Sequence, residues 1–540
     1  MKKITLITTI FITAFLLSSC VKDLDVQPID PNVNTVNNVF TGPTAYKQAL
    51  AKVYAGFALT GQNGGAGNAD IAGIDEGFSS YIRTYWNLQE LSTDEAIMSW
   101  DDATIKDLHY QTWSPNDVFL TAFYSRIYFT IALSNEFIRN ATDAMGSASG
   151  TFLSDLTAFR AEARFIRALA YYHAIDMYGN VPFVTEADKA GAFFPRRINR
   201  LELFNYIESE LKAMENDLVP ARQNEYARAD RGAAWFLLAK LYLNAKVYTG
   251  TDRSTDALTY INKVISAGYT LDPSYQHIFS GDNNTSKEII FPIAFDGQNS
   301  QTWGGTTFLV SGSSGGSMAS RGLGSWGGMR TIKEFAAKFN ITQNSFASSV
   351  TYPANYNAGK DRRGMFYFDP SSWVWDISNV GTFTEGIGVT KWSNLSANGS
   401  AAPNAHNSFA STDFPMFRLA DAYLMYAEAV LRGGSGGDLA TAVNYINALR
   451  QRAYGDASGN ITSANLNLNF ILDERARELY WEGTRRTDLV RFGQFTNGSY
   501  VWQWKGRSKN GAQTSSFRDL FPIPINDINA NPNLVQNPGY

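Results

Sequence analysis

The densest run of chemistry-bearing residues is 471–494, ILDERARELYWEGTRRTDLVRFGQ, where five acidic side chains are interleaved with five arginines. Two carboxyl groups at the right separation could serve as acid and nucleophile, or acid and base, in glycoside hydrolysis. Yet Leu472, Ala476 and Leu479 draw a helical seam through the same stretch, and its charges balance one for one. Glu474, Glu478 and Glu482 are therefore expected to pair with Arg475, Arg485, Arg486 or Arg491 as a structural network, and no catalytic residue is assigned. A second candidate, GLGSWG at residues 322–327, has the spacing of a dinucleotide-binding turn. That reading is rejected, because the preceding SGSSGGSMASR is no strand and no acidic residue follows about twenty positions on. More promising are Trp303 and Trp326, which lie in glycine-rich loops rather than on a helical seam. An indole face stacks on the C–H face of a sugar ring, and Asp70 and Arg83 could hold the hydroxyls.

Composition narrows the field. Aromatic residues make up 14% of the 540 residues, with 12 Trp, which suits rings turned toward a ligand. A net charge of −4 and a pI near 5.7 leave no electrostatic footprint for nucleic acid. Four scattered His and a single Cys suggest neither a transition-metal site nor a cofactor.

The elements that must position these residues are mostly helices. Residues 154–188 read as one long buried helix and its exit, with Phe159, Ala163, Ile166, Ala170, Ala174 and Met177 on one stripe and Phe165, Leu169 and Tyr172 on a second. Ser154 is the expected N-cap, and Gly179-Asn180 the exit. Arg160, Glu162, Arg164 and Arg167 read as a charged flank of scaffold. Further helices are expected at about residues 45–59 and 119–139, a loop at 61–67, and an irregular polar stretch at 86–95.

The chain also carries a weak repeat. Trp235, Leu238, Ala239 and Tyr242 precede residues 257–262, ALTYIN, as Tyr423, Tyr426, Ala427 and Val430 precede residues 442–447, AVNYIN. Large–small alternation on paired helices resembles tetratricopeptide repeats, so the fold class expected is mainly α, with stacked helix pairs. Between the copies, at about residues 273–411, helical periodicity gives way to Gly, Ser, Asn and Trp. A loop-rich insertion of this length is expected to carry the ligand site.

At the N-terminus, Lys2-Lys3 precede an apolar run that ends in Leu17-Ser18-Ser19-Cys20. This is the layout of a lipoprotein signal peptide over residues 1–19, with Cys20 as the lipidated residue. Residues 20–44 then form a tether, and 45–540 a single helical domain.

RFIRALAYYHAIDMYGNVPF at 164–183, ERARELYWEGTRRTDLVRFG at 474–493, and the FPIP and QNPGY of the tail together resemble the SusD family, surface glycan-binding lipoproteins of Bacteroidetes nutrient-uptake systems. The resemblance implies a tetratricopeptide-containing fold without catalysis. It also implies a lipid-anchored, surface-exposed place on the outer membrane, and delivery of glycan to a SusC-like TonB-dependent transporter. Residues 73–100, 303–310 and 490–506 look closest to the starch-binding member, whose ligand lies on an arc of three rings. Trp303 and Trp326 match two of them, and Arg83 matches a polar contact. At the third stands Met98, with Trp100 the nearest ring, and Ala103 stands where that member has an amide. Starch or malto-oligosaccharide is thus the expected ligand. A glycoside hydrolase, or a tetratricopeptide scaffold for a protein partner, are the alternatives.

Overall fold

A computed structural model of the chain describes residues 40–188, 191, 193–316, 318–346 and 360–540. The signal peptide, Cys20 and tether residues up to 39 lie outside the described residues. The chain divides into two compact units, Met1–Ala49 and Leu50–Tyr540. Of the first, residues 40–49 are described and include the start of helix α1 (Pro43–Ala58). The second unit contains the helical stack and the sheets.

The architecture is mainly helical, as the periodicity indicates. Helix α3 (Val118–Met145) begins at Asp117, whose carboxylate accepts from the N–H groups of Phe119 and Leu120 at 2.9 and 3.0 Å. After a short turn, α4 (Gly150–Met177) packs along it, burying both predicted stripes. This helix starts earlier than the sequence suggests. Ser149 stands at its N-cap position, and the Ser154 hydroxyl instead donates to the Gly150 carbonyl one turn back. Its exit is as read, through Gly179 at φ +75°. The charged flank is paired across helices: Arg164 and Arg167 reach Glu210 at 2.9 and 2.8 Å, and buried Glu162 holds Arg228 and the Tyr54 hydroxyl.

The stack then continues by neighbour packing. α4 lies on α5 (Arg200–Met214), α5 on α6 (Arg231–Leu243), α6 on α7 (Ser254–Ser266), and α7 on α9 (Leu419–Leu431). α9 in turn packs on α10 (Leu439–Tyr454) and α11 (Leu468–Leu479). The repeated motifs therefore sit on adjacent hairpins, each covering the apolar face its neighbour cannot bury alone.

Two segments differ from the sequence reading. Within residues 86–95, an irregular stretch was expected. A helix, α2 (Tyr81–Glu90), instead runs into it with all ten of its residues buried. Two of its polar side chains are bonded across the core by a segment far along the chain. Glu90 accepts from the N–H groups of Gly483 and Thr484, and Gln89 bonds Thr487 at 2.9 Å. The insertion, likewise, is not all loop. Strands β1 (Ile97–Met98), β3 (Met329–Thr331), β4 (Phe366–Tyr367) and β5 (Ile387–Val389) form an antiparallel sheet in the order β1-β3-β5-β4, and β2 (Ile289–Ile293) pairs with β6 (Phe414–Arg418). Helix α8 (Gly305–Gly312) is fully buried and packs on α2, which also touches α3 and α12 (Arg485–Arg491).

The acid–arginine stretch is a buried ionic network, but its partners are not the expected ones. Glu474 pairs with Arg363, Arg450 and Arg477. Glu478 pairs with Arg418, Arg363 and Arg452, and Glu482 with Lys391 and Arg418. Arg475 reaches Asp421 and Asp488, Arg485 grips Asp94 with two nitrogens, and Arg491 takes Glu428. Adjacent helical positions do not face each other, so these charges find partners on whatever packs around them. Burial opposes ionisation of Glu474, yet Arg363, Arg477 and Arg450 hold its carboxyl down at about 2.

Candidate functional site

The rings singled out in the sequence come together at the edge of the insertion, set there by backbone that only glycine permits. The chain leaves Trp303 through Gly304 and Gly305. A Cβ on Gly304 would stand 1.7 Å from the Ser80 hydroxyl, and one on Gly305, at φ +52°, 2.2 Å from the Phe295 ring. This close approach lays α8 under the N-terminus of α2 with Trp303 at its rim, half-exposed. Trp326 is tied by its own N–H to the Ser311 carbonyl, 2.9 Å, at the end of α8. Trp100 arrives from the other side. Strand β1 pairs Met98 with Met329, and two residues on the Trp100 indole N–H donates to the Gly327 carbonyl at 2.9 Å.

The result is a row. Trp100 and Trp326 have ring centroids 6.2 Å apart, Trp326 and Trp303 6.1 Å, with planes inclined at 49° and 51°. All three are half-exposed, and successive ring planes are inclined to one another rather than coplanar. Phe409 closes on Trp303 at 4.7 Å with His406 stacked behind it at 5.1 Å, two residues the sequence reading missed. Their one signal was aromatic character in a turn-rich stretch, shared with many core rings.

Arg83 lies behind the row. Its guanidinium sits 4.3 Å from the Phe308 ring and 5.5 Å from that of Trp100, and it donates to the carbonyls of Gly77 at 2.7 Å and Trp303 at 3.4 Å. Burial lowers its pKa to about 10, with Asp102 and Asp75 opposing, so it stays charged at neutral pH. It braces two of the rings at once.

Met98 and Asp70 are placed elsewhere. Met98 is fully buried, and its N–H donates to Nε2 of His109 at 2.9 Å. Burial drives the His109 pKa down to about 3, which keeps that nitrogen an acceptor while Nδ1–H faces the Leu91 carbonyl. Both residues of β1 are packed inside the fold, so Trp100, two positions on and past the end of the strand, supplies the third ring. The Asp70 side chain is 3% exposed, with Lys52 at 2.8 Å and buried Arg126 at 3.8 Å. It balances those cations inside the fold and offers no oxygen to a ligand beside the rings.

The rejected dinucleotide turn is confirmed as no such thing: residues 322–328 lead into β3 of an antiparallel sheet rather than opening a helix. Among the described residues no group of three His, Cys, Asp or Glu is arranged to hold a metal ion, and no helix is long and apolar enough to cross a membrane.

Comparison with known proteins bears on the family directly. The SusD family model matches residues 287–540, and a second, described as starch-binding associating with outer membrane, matches residues 74–243. The starch-binding protein SusD of Bacteroides thetaiotaomicron is 35% identical, over 97% of this chain and 96% of that protein. The chain belongs to the SusD family. A SusD-like protein of Formosa agariphila, P2, is 25% identical over 81% of this chain and 83% of its own length. Among solved structures, a SusD superfamily protein from Bacteroides thetaiotaomicron superposes with a TM-score of 0.70 at 19% identity, covering 92% of this chain and all of that one. A laminarin-binding SusD-like protein gives 0.68 at 20%, covering 93% and 100%. These structures share the SusD fold.

Proposed function

We propose that the chain is a lipid-anchored, non-enzymatic glycan-binding protein of the outer-membrane surface. In this reading it captures starch or malto-oligosaccharide and passes it to a SusC-like TonB-dependent transporter. The observation that carries this reading is the row of mutually inclined rings Trp100–Trp326–Trp303. Three half-exposed indoles at about 6 Å spacing, each tilted by about 50° from the next, fit the C–H faces of consecutive sugars on a curved chain better than those of a flat one. The 35% identical starch-binding relative supports α-glucan as the ligand.

Against hydrolysis stands the state of the carboxylates. Glu474 and Glu478 of α11 are buried and ion-paired with arginine, and beside Trp100 the exposed Asp101 is held below its ordinary value by the Lys106 ammonium. Neither group is poised as a general acid.

Isothermal titration against a glycan panel, with reducing-sugar release followed in parallel, tests the reading. Binding of α-glucan without turnover is expected. Silence on every sugar would favour a protein-binding scaffold, and turnover lost with a single carboxylate would favour a hydrolase. The anchor is tested separately. Cys20→Ala should move the protein from the membrane to the soluble fraction and abolish lipid labelling, since the chain has no second cysteine to acylate.

A further inference from the structure

One large apolar side chain near the arc stands well out into solvent. Phe383 is 47% exposed, on a loop otherwise made of turn residues. Exposed aromatics are common singly, but a rigidly held one at the mouth of a cleft is not. The loop is pinned from both sides. Fully buried Arg330 donates to the carbonyls of Thr382 and Glu385, and to that of Val380 at 2.9 Å. The Glu385 carboxylate accepts from the N–H groups of Ser378 and Asn379 at 2.6 and 2.7 Å and from the Ser378 hydroxyl at 2.9 Å. Two backbone bonds, Val374 N–H to the Thr384 carbonyl and Gly386 N–H to the Val374 carbonyl, join it to the segment that carries Trp373. A large hydrophobic ring has thus been fixed in solvent by eight hydrogen bonds.

Phe383, Trp373 and Trp326 wall a half-open cleft of about 220 Å³. Its floor is glycine. A Cβ on Gly315 would meet the Gly327 Cα at 3.1 Å, and one on Gly328, at φ +96°, would strike the Trp100 indole at 2.4 Å and the Phe383 ring at 3.2 Å. Glycine there lets the two backbone segments, the Trp100 indole and the Phe383 ring close together at the edge of the cleft. Trp326 belongs to both the arc and this cleft, and Gly328, which also lines the cleft, lies against both the Trp100 indole and the Phe383 ring, so the cleft adjoins the arc.

We propose that this cleft is a further subsite, which takes a sugar ring beyond those of an oligosaccharide lying on Trp303, Trp326 and Trp100, with Phe383 as its stacking face. The inference rests on the glycan-binding reading. It implies that affinity rises with chain length beyond what the arc alone can cover.

The test uses ladders of malto-oligosaccharides and of β-1,3-linked gluco-oligosaccharides from short to long, titrated into wild type, Phe383→Ala, Phe383→Tyr and Trp303→Ala. Phe383→Ala should lose about fivefold in affinity for the long members and nothing for the shortest, Phe383→Tyr should retain wild-type behaviour, and the melting temperature should not move. Trp303→Ala should weaken every length. If Trp303→Ala weakens binding while Phe383→Ala weakens no length, the subsite is wrong and the glycan-binding reading stands. If wild type binds neither ladder, the reading fails and the subsite falls with it.

Discussion

Single residues carry the difference between a ring that meets a ligand and one that fills a core. Trp303 and Trp326 were legible in the sequence because a Trp among glycines and serines has no seam to join. Met98 and Asp70 were not, because exposure is decided by partners that lie far off in the chain: Met329 and His109 for one, Arg126 for the other. This placement makes two substitutions informative. Met98→Trp adds a third ring on the strength of the sequence match, but it should overpack a fully buried site at a cost of about 1–3 kcal/mol and leave glycan affinity unchanged. Denaturant unfolding and titration of the same variant check it, and a gain in affinity would contradict it. Ala103 is exposed at φ +36°, a conformation that alanine disfavours and asparagine tolerates. Ala103→Asn should therefore stabilise the protein by a few tenths of a kcal/mol. It would also place an amide two positions beyond Trp100's neighbour Asp101, where it should strengthen binding. An unchanged melting temperature and unchanged affinity would count against both.

At the scale of elements, long apolar spacing was readable and polar burial was not. α3 and α4 were anticipated by their stripes, within a turn or two at each end. Helix α2 was missed because Gln89 and Glu90 look solvent-facing until residues 483–487 arrive to bond them. That contact also holds an acid pair. Burial pushes both Glu90 and Glu95 above the ordinary carboxylate value; Glu95 hydrogen-bonds Glu90, and Arg485 stands 3.7 Å from Glu95. The folded protein thus keeps a proton that the unfolded chain releases near pH 4. Its stabilising contribution is complete below about pH 4 and is lost as pH rises through the raised folded value. Glu90→Gln retains the acceptor for Gly483 and Thr484 and supplies an amide donor to Glu95. It should flatten the fall in stability between about pH 5 and 8, measured by chemical denaturation. The same slope in both proteins would rule out the shared proton.

Over the whole molecule, the helical stack could be read from two weakly matching repeats, since large–small alternation is what hairpin packing demands. The sheet of the insertion could not. Its strands are two or three residues long, and one of them, β1, belongs to a segment well before the insertion. This long-range pairing is what delivers Trp100 to the other two rings, so the site exists only once the stack, the insertion and the 481–487 segment have closed around α2. Such a site should be rigid before ligand arrives, and removal of one ring should cost affinity without cost to the fold.

The middle ring is the most direct test, because Trp326 touches both Trp100 and Trp303. Titration of a long malto-oligosaccharide into wild type and Trp326→Ala, each with its melting temperature, should give a loss of about 1 kcal/mol or more in binding with the melting temperature held. Equal affinity in the two proteins, or a large fall in melting temperature, would contradict the account: the first would mean that the arc binds no glycan, the second that the ring belongs to the core.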